Sequence, residues 1–421
     1  MIIALSIPVF LLLIFIELAI SLRRGRPVYR FSDAVTDIGC GVGSQLVGIL
    51  LVAVTFGLYV IVYDNCGLIQ WGDYGPMGVL SMWALAFVGL DFLYYWWHRW
   101  SHEINFLWAS HVVHHQSEDY NLAVALRQAW LTGFTSTVVY LPLAILGVPP
   151  EIYVISVSLS LLYQFWIHTE LVGKLGIFEW VLNSPSHHRV HHGINPQYID
   201  KNHGAILIVW DRLFGTFVDE NEPVFYGTVK PLDSFNPIWA NLHGWVHLWK
   251  LTSASERLSE KLLVLFRPPD WMPPQSRPGE PAYNQLGGRD KYAPRCPGVV
   301  RRYVLIQAAW SIPLVMALLL TAESLDIWER VGAVAVLLAG TMAWGGLLEG
   351  RRWAHELEVV RLLGSGAAFI WFVYSHAAAV DWALPLATVG AGLCGIFAVW
   401  TTLLPRGPGG SQPGDSSTPA S

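Results

Sequence analysis

The feature that most constrains this chain is a series of apolar runs about as long as a helix needs to cross a hydrocarbon layer, roughly 20 residues. Residues 2–20, 42–62, 77–97, 303–322, 331–348, 362–380 and 384–404 meet that length or come close to it. Two shorter runs, 131–147 and 152–167, are separated only by Val-Pro-Pro-Glu and read as a tight hairpin that either just crosses or re-enters. A helix satisfies its own backbone in lipid. The expected fold class is therefore an all-α integral membrane protein with about nine transmembrane helices. Composition agrees: 53% of residues are apolar and only 14% charged, against about 25% charged in a soluble domain. A net charge of −5 leaves no basic footprint, which excludes nucleic acid as a partner.

Loop charges orient the spans. Arg23, Arg24 and Arg26 follow the first run directly, and no basic stretch or Ala-x-Ala site precedes them, so the run reads as a retained anchor with a cytosolic first loop. The loop 63–76 holds aspartates but no Lys or Arg and falls outside. Residues 98–130 and 168–302 fall inside, as do Arg351, Arg352, Arg361 and Arg406. The expected organisation is N-terminal spans over 1–97 and a histidine-rich catalytic region over 98–218 that includes the membrane hairpin 131–168. A cytosolic interfacial helix and linker follow over 219–302, then C-terminal spans over 303–404 and a disordered tail over 405–421. Ile238, Trp239, Leu242, Trp245, Val246 and Trp249 recur at helical spacing and suit a helix lying in the interface. Residues 267–297 are rich in Pro, Gly and charge and read as a linker. Cys40, Cys66, Cys296 and Cys394 lack CxxC spacing and are expected to be buried free thiols.

Eleven of the 15 histidines lie between His98 and His203. They come in groups: His98 and His102; His111, His114 and His115; His187, His188, His191 and His192. Residues at i, i+3 and i+4 share a helix face, so each group aims two or three imidazoles one way. One such pair is a weak signal, but three groups on one membrane face are a metal-binding pattern, suited to Fe, Zn, Cu or Ni. Eight or nine imidazoles exceed what one ion can use, so two ions are expected. His98 follows the third span and His168 the fifth, which puts the site at the membrane boundary, where a lipid chain can reach it. Asp91 lies on the His98 face, where it either orients a ligand ring or sits at headgroup level. Glu103 and Glu118 flank the first two groups as further candidates. His243 and His247 are expected to face solvent, His355 to lie at the surface, and His376 to pack within a span.

These residues resemble the fatty acid hydroxylase and sterol desaturase superfamily and, within it, the alkylglycerol monooxygenase group. The resemblance covers most of residues 90–218. It is carried by Asp91-Phe-Leu-Tyr-Tyr-Trp-Trp-His-Arg-Trp-Ser-His-Glu, His111-Val-Val-His-His-Gln-Ser-Glu, Gln164-Phe-Trp-Ile-His-Thr-Glu-Leu, Asn183-Ser-Pro-Ser-His-His-Arg-Val-His-His-Gly and Trp210-Asp-Arg-Leu-Phe-Gly-Thr. It implies a first histidine box of His98 and His102, a second of His111, His114 and His115, and a third of His188, His191 and His192. His168 stands where relatives place a further ligand, and Gln164 where fatty acid hydroxylases carry His. His203 stands where many ether-cleaving relatives carry Tyr, which leaves its role open, as is that of His187. The resemblance further implies two irons, O₂, and tetrahydrobiopterin as reductant, although the chain carries no recognisable pterin motif. Hydroxylation next to the ether oxygen of an alkylglycerol would release a fatty aldehyde and glycerol.

The nearest rival is a desaturase or fatty acid hydroxylase-type lipid enzyme fed by an external electron-transfer partner. A metal transporter is the non-enzyme alternative, though transporters place ligands near the bilayer midplane. An intramembrane metalloprotease lacks its mark, because no His-Glu-x-x-His occurs. Ala- and Gly-rich spans fit a bacterial inner membrane; a eukaryotic source would imply the endoplasmic reticulum.

Overall fold

The computed structural model describes residues 2–271, 290–377 and 383–406, so most of the expected linker and nearly all of the expected tail lie outside the described residues. The architecture is all-helical; among the described residues extended pairing is limited to one isolated bridge, Leu182 with Leu207. In chain order the helices are α1 (Ile2–Arg23), α2 (Phe31–Cys66), α3 (Gly75–Ala84), α4 (Leu90–Glu103), α5 (Asn105–His115), α6 (Thr132–Ile145), α7 (Pro150–Trp166) and α8 (Pro185–His191). They continue as α9 (Val209–Phe214), α10 (Pro237–Ala254), α11 (Leu258–Phe266), α12 (Gly298–Thr321), α13 (Ile327–Leu348), α14 (Arg352–Ala377) and α15 (Ala383–Leu403).

Among the described residues seven helical rods are long and apolar enough to cross a membrane: Leu5–Arg23, Phe31–Cys66, Trp71–Glu103, Gly298–Ser324, Ile327–Leu348, Arg352–Ser375 and Pro385–Leu403. The chain is a multi-pass integral membrane protein. Its apolar surface is what such a protein needs, with Phe15, Val54, Leu80 and Trp310 exposed on the spans. The hairpin accounts for the difference from the nine runs read in sequence. Helices α6 and α7 have 14 and 17 residues, about 21 and 26 Å at 1.5 Å per residue, which falls short of a core of about 30 Å. Pro149 and Pro150 start α7, and the preceding turn uses Gly147 at φ 80°, where an added Cβ would lie 2.2 Å from the Ile69 carbonyl.

Two rods run on from the lipid layer into the histidine-rich region. The α3–α4 rod contains a π-helical stretch, Leu85–Gly89, just before the segment that bears His98. Such an insertion re-aims the following face and is frequent at functional sites. Helix α2 has 36 residues, and its first half buries Asp33, Thr36, Asp37 and Cys40. Gly41 lets it touch the turn at Leu126, whose carbonyl would lie 2.6 Å from an added Cβ. The interfacial helix read from sequence is α10. It leaves Trp249 and Leu242 exposed but buries Ala240, Asn241, Leu248 and Leu251, and it packs on α5. Gly244 makes that crossing close, since a Cβ there would meet the Ala109 carbonyl at 2.4 Å.

The C-terminal spans form a bundle with a polar centre. The Glu358 carboxylate accepts from Tyr303 and Arg361, Arg361 also donates to Gln307, and Thr401 bonds Tyr303. The four cysteines are free, but only Cys40 is buried and Cys66 is exposed. Thus the expectation of burial fails for the others: Cys66 ends α2 at its exposed tip.

Candidate metal centre

Local sequence explains how the rings converge. His98 and His102 sit one turn apart near the end of α4. Ile104 is extended, φ −120° and ψ 118°, and breaks the helix, so α5 packs beside α4 with His114 and His115 in its last turn and His111 one turn earlier. Helix α8 starts at Ser184-Pro185; the Ser184 hydroxyl caps the His187 N–H and proline takes the first position, where a missing N–H is harmless. His188 and His191 follow on α8, and His192 is its C-cap. His168 stands two residues past α7.

Nine imidazoles separate into two buried clusters. His98, His102, His111, His115 and His191 form one; His114, His168, His188 and His192 form the other, and within each cluster one ring nitrogen per residue lies within 4.8 Å of all the rest. The first box, His98 and His102, lies in the first cluster, whereas the second and third boxes are divided between the two. Ring nitrogens face each other at 3.1 Å for His98–His111 and His188–His168, and at 3.2 Å for His115–His111 and His168–His114. Two nitrogens bound to one ion at 2.0–2.1 Å lie about 3.0 Å apart at a right angle and about 3.4 Å apart at a tetrahedral angle. The spacing therefore fits shared coordination. Nε2 of His102, His191 and His192 is buried without a hydrogen-bond partner, a state that buried polar atoms avoid unless a ligand satisfies them.

In five of the nine rings the opposite nitrogen is held by protein. Nδ1 of His98 donates to the His203 carbonyl at 2.8 Å, His114 to Arg127 at 3.1 Å, His168 to Gln164 at 2.7 Å and His191 to Lys201 at 3.0 Å. His102 Nδ1 lies 3.4 Å from the Asp200 carboxylate. Each such contact fixes the tautomer that leaves Nε2 free for metal. Burial, reinforced by neighbouring rings, holds His111, His115, His168, His188, His191 and His192 well below the ordinary histidine value, and burial pushes His114 down to about 4. Neutral imidazole is the form that ligates. Burial raises the Asp200 carboxyl, but the hydrogen bond to His102 together with the nearby His102, His203 and Lys201 side chains outweighs it and holds the group below its usual value.

Several residues singled out in sequence stand elsewhere. Among the described residues Asp91 makes no hydrogen bond to a histidine; its buried carboxylate accepts from the N–H groups of Ile206 and Leu207 and from the Trp210 indole, tying α4 to the segment after His203. Glu103 pairs with Arg99 one turn back at 2.9 Å. Glu118 accepts the Tyr292 N–H and lies 3.5 Å from Arg30. His187 is buried outside both clusters, edge-on to Phe217. The His203 ring is fully buried, 5.2 Å from that of His102, with Nδ1 3.7 Å from Asp211. His355 is buried, not superficial, and His243 and His247 are partly buried; the side chain of His376 lies outside the described residues. Sequence reasoning missed Asp200 and Asp211. The latter is fully buried and accepts from the N–H groups of His203 and Gly204 and from Thr216, fixing the loop that holds His98.

On the membrane side a cavity of about 330 Å³ reaches the rings of His111, His114 and His168, so it touches both clusters. Its walls come from α1, α2, α4, α6, α7 and α12 and are mainly apolar. Gln164 lines it one turn from His168, its amide donating to Ser160.

The model of the fatty acid hydroxylase family matches residues 83–216, the stretch that holds all nine cluster histidines and the carboxylate partner Asp200. Alkylglycerol monooxygenase of Xenopus tropicalis is 39% identical over 84% of this chain and 79% of its own length. The chain belongs to the fatty acid hydroxylase family. Alkylglycerol monooxygenases of Danio rerio and Homo sapiens are 39% and 37% identical over 84% and 85% of the chain, covering 79% and 80% of theirs. No solved structure gives a significant match. This family member is thus a membrane-bound oxidoreductase of the lipid hydroxylase type, alkylglycerol monooxygenase-like, and its two histidine clusters fit a two-metal site.

Proposed function

We propose that this protein is a lipid monooxygenase that binds one iron in each histidine cluster and hydroxylates the ether-adjacent carbon of an alkylglycerol. One observation carries the reading: an apolar cavity among the membrane-crossing helices is lined by histidines of both clusters. The names of the relatives support the substrate class.

Bound iron would supply activation of O₂ for insertion of one oxygen atom into the C–H bond. The second oxygen leaves as water, which requires two electrons and two protons from a reductant, for which tetrahydrobiopterin is the candidate. The resulting hemiacetal loses its alcohol, giving a fatty aldehyde and glycerol. The protein's own part is positioning. Backbone carbonyls of Gln164, Arg127, Lys201 and His203 fix the rings, and the apolar walls hold an alkyl chain beside them and keep water out. Loop charge supports a cytosolic position for the clusters, at a bacterial inner membrane or, in a eukaryotic cell, the endoplasmic reticulum.

The test is incubation of the purified protein with hexadecylglycerol, O₂ and tetrahydrobiopterin. Fatty aldehyde is the expected product. Its absence there, with hydroxylated lipid appearing only when an electron-transfer protein is added, would favour the other lipid hydroxylase reading. Metal transport is poorly served by an apolar approach to the rings; uptake into vesicles that depends on His111 would revive it.

A further inference from the structure

The cavity has a ruler and a floor. Helix α7 lines it with one stripe, Tyr153, Val157, Ser160 or Leu161, and Gln164, which ends beside His168. From His168 back to Tyr153 such a stripe rises about 20 Å. At the far end the lining passes into closed core: Leu90 and Tyr140 belong to a buried cluster with Tyr59, Leu143 and Val148, and Tyr153 and Val157 pack against it. Three tyrosines stand in a row there. Tyr153 stacks on Tyr59 at 4.1 Å, and Tyr140 lies 5.8 Å from Tyr153. Tyr59 is pinned by its hydroxyl to the Val148 carbonyl at 3.0 Å. This is a packed wall with its polar group satisfied, so it does not give way to a longer chain without breaking that packing.

We infer that Tyr153, backed by Tyr59 and flanked by Tyr140, is the floor of the alkyl-chain site and sets the longest chain this protein accepts. The inference rests on the proposed reading of the cavity as a lipid site, but not on which bond is oxidised. An extra methylene in a filled apolar pocket changes discrimination by roughly tenfold or more, so a fixed floor gives a sharp upper limit. A side chain enlarged one turn nearer the clusters lowers that limit by about 5 Å of chain.

The test is a ladder of unbranched fatty alcohols, dodecyl to docosyl, bound to the full-length protein in detergent and read by native mass spectrometry. In Tyr153→Ala the occupancy ratio of eicosanol to hexadecanol is expected to rise about tenfold or more. In Val157→Trp the occupancy of hexadecanol relative to dodecanol is expected to fall by a similar factor. Should Tyr153→Ala fail to fold, Val157→Trp decides alone. A length profile identical to wild type in the variants that fold overturns the floor. Because the alcohols lack an ether, failure of ether cleavage leaves this result readable, and an unchanged profile beside normal cleavage removes the floor but not the reaction.

Discussion

Asp200 adopts a left-handed backbone, φ 57°, a conformation that Asp tolerates better than most residues and that brings its carboxylate to His102. A carboxylate on the far nitrogen of a ligand ring typically contributes 10–100-fold to metal affinity. Asp200→Ala is therefore expected to lose metal to a chelator about 10–100-fold more readily than wild type; equal resistance would show that the pair is incidental. Asp91 works at longer range. Its three donors come from the segment 206–210, and Asp91→Ala leaves them buried and unpaired, at a cost of about 3 kcal/mol or more. Thermal unfolding should register this as a lower midpoint, with Asp91→Asn milder. Asp91 was legible only as an ionisable residue on the His98 face. Its partners were not, because they lie more than a hundred residues away and nothing in local spacing encodes them. Asp200 was missed for the same reason: a single aspartate in a loop carries no periodic signal.

Helices whose identity follows from hydropathy were readable, and their ends were not. The apolar run in α2 marks its crossing portion, whereas the polar first half from Phe31 is helical because it packs into the histidine region. The π-helical stretch at Leu85–Gly89 left no trace in the apolar pattern. The hairpin runs were visible, but their helix ends were not: the first shortens to 14 residues, and the second starts earlier, at Pro150, and has 17. Helix α10 was read as amphipathic from its spacing; that its buried face covers α5 depends on Gly244, which sequence alone presents as an ordinary glycine. Gly244→Ala forces a methyl against the Ala109 backbone and should cost about 1–3 kcal/mol, with loss of bound metal because α5 carries three of the rings. Gly48, on α2, has open space around it, and Gly48→Ala should be neutral or stabilise by up to about 1 kcal/mol. Comparable unfolding of the two variants would contradict this view of the α5–α10 crossing.

At the scale of the molecule, the C-terminal bundle and the metal region are stabilised by different means. Arg361→Leu leaves Glu358 buried without its cation, and such a loss typically costs about 3–5 kcal/mol; unfolding in detergent should shift accordingly, whereas retention of wild-type stability would mean the network is dispensable. The two-ion inference rested on an excess of imidazoles, and spacing within each box grouped them correctly by helix. The division of the second and third boxes between two clusters was beyond that reasoning, since it depends on how α4, α5 and α8 cross. The most direct test of the whole reading is the metal content of the purified full-length protein by inductively coupled plasma mass spectrometry. Two irons per chain are expected, falling together with turnover in His188→Ala. One ion per chain, or a different metal in both clusters of an active preparation, would contradict it.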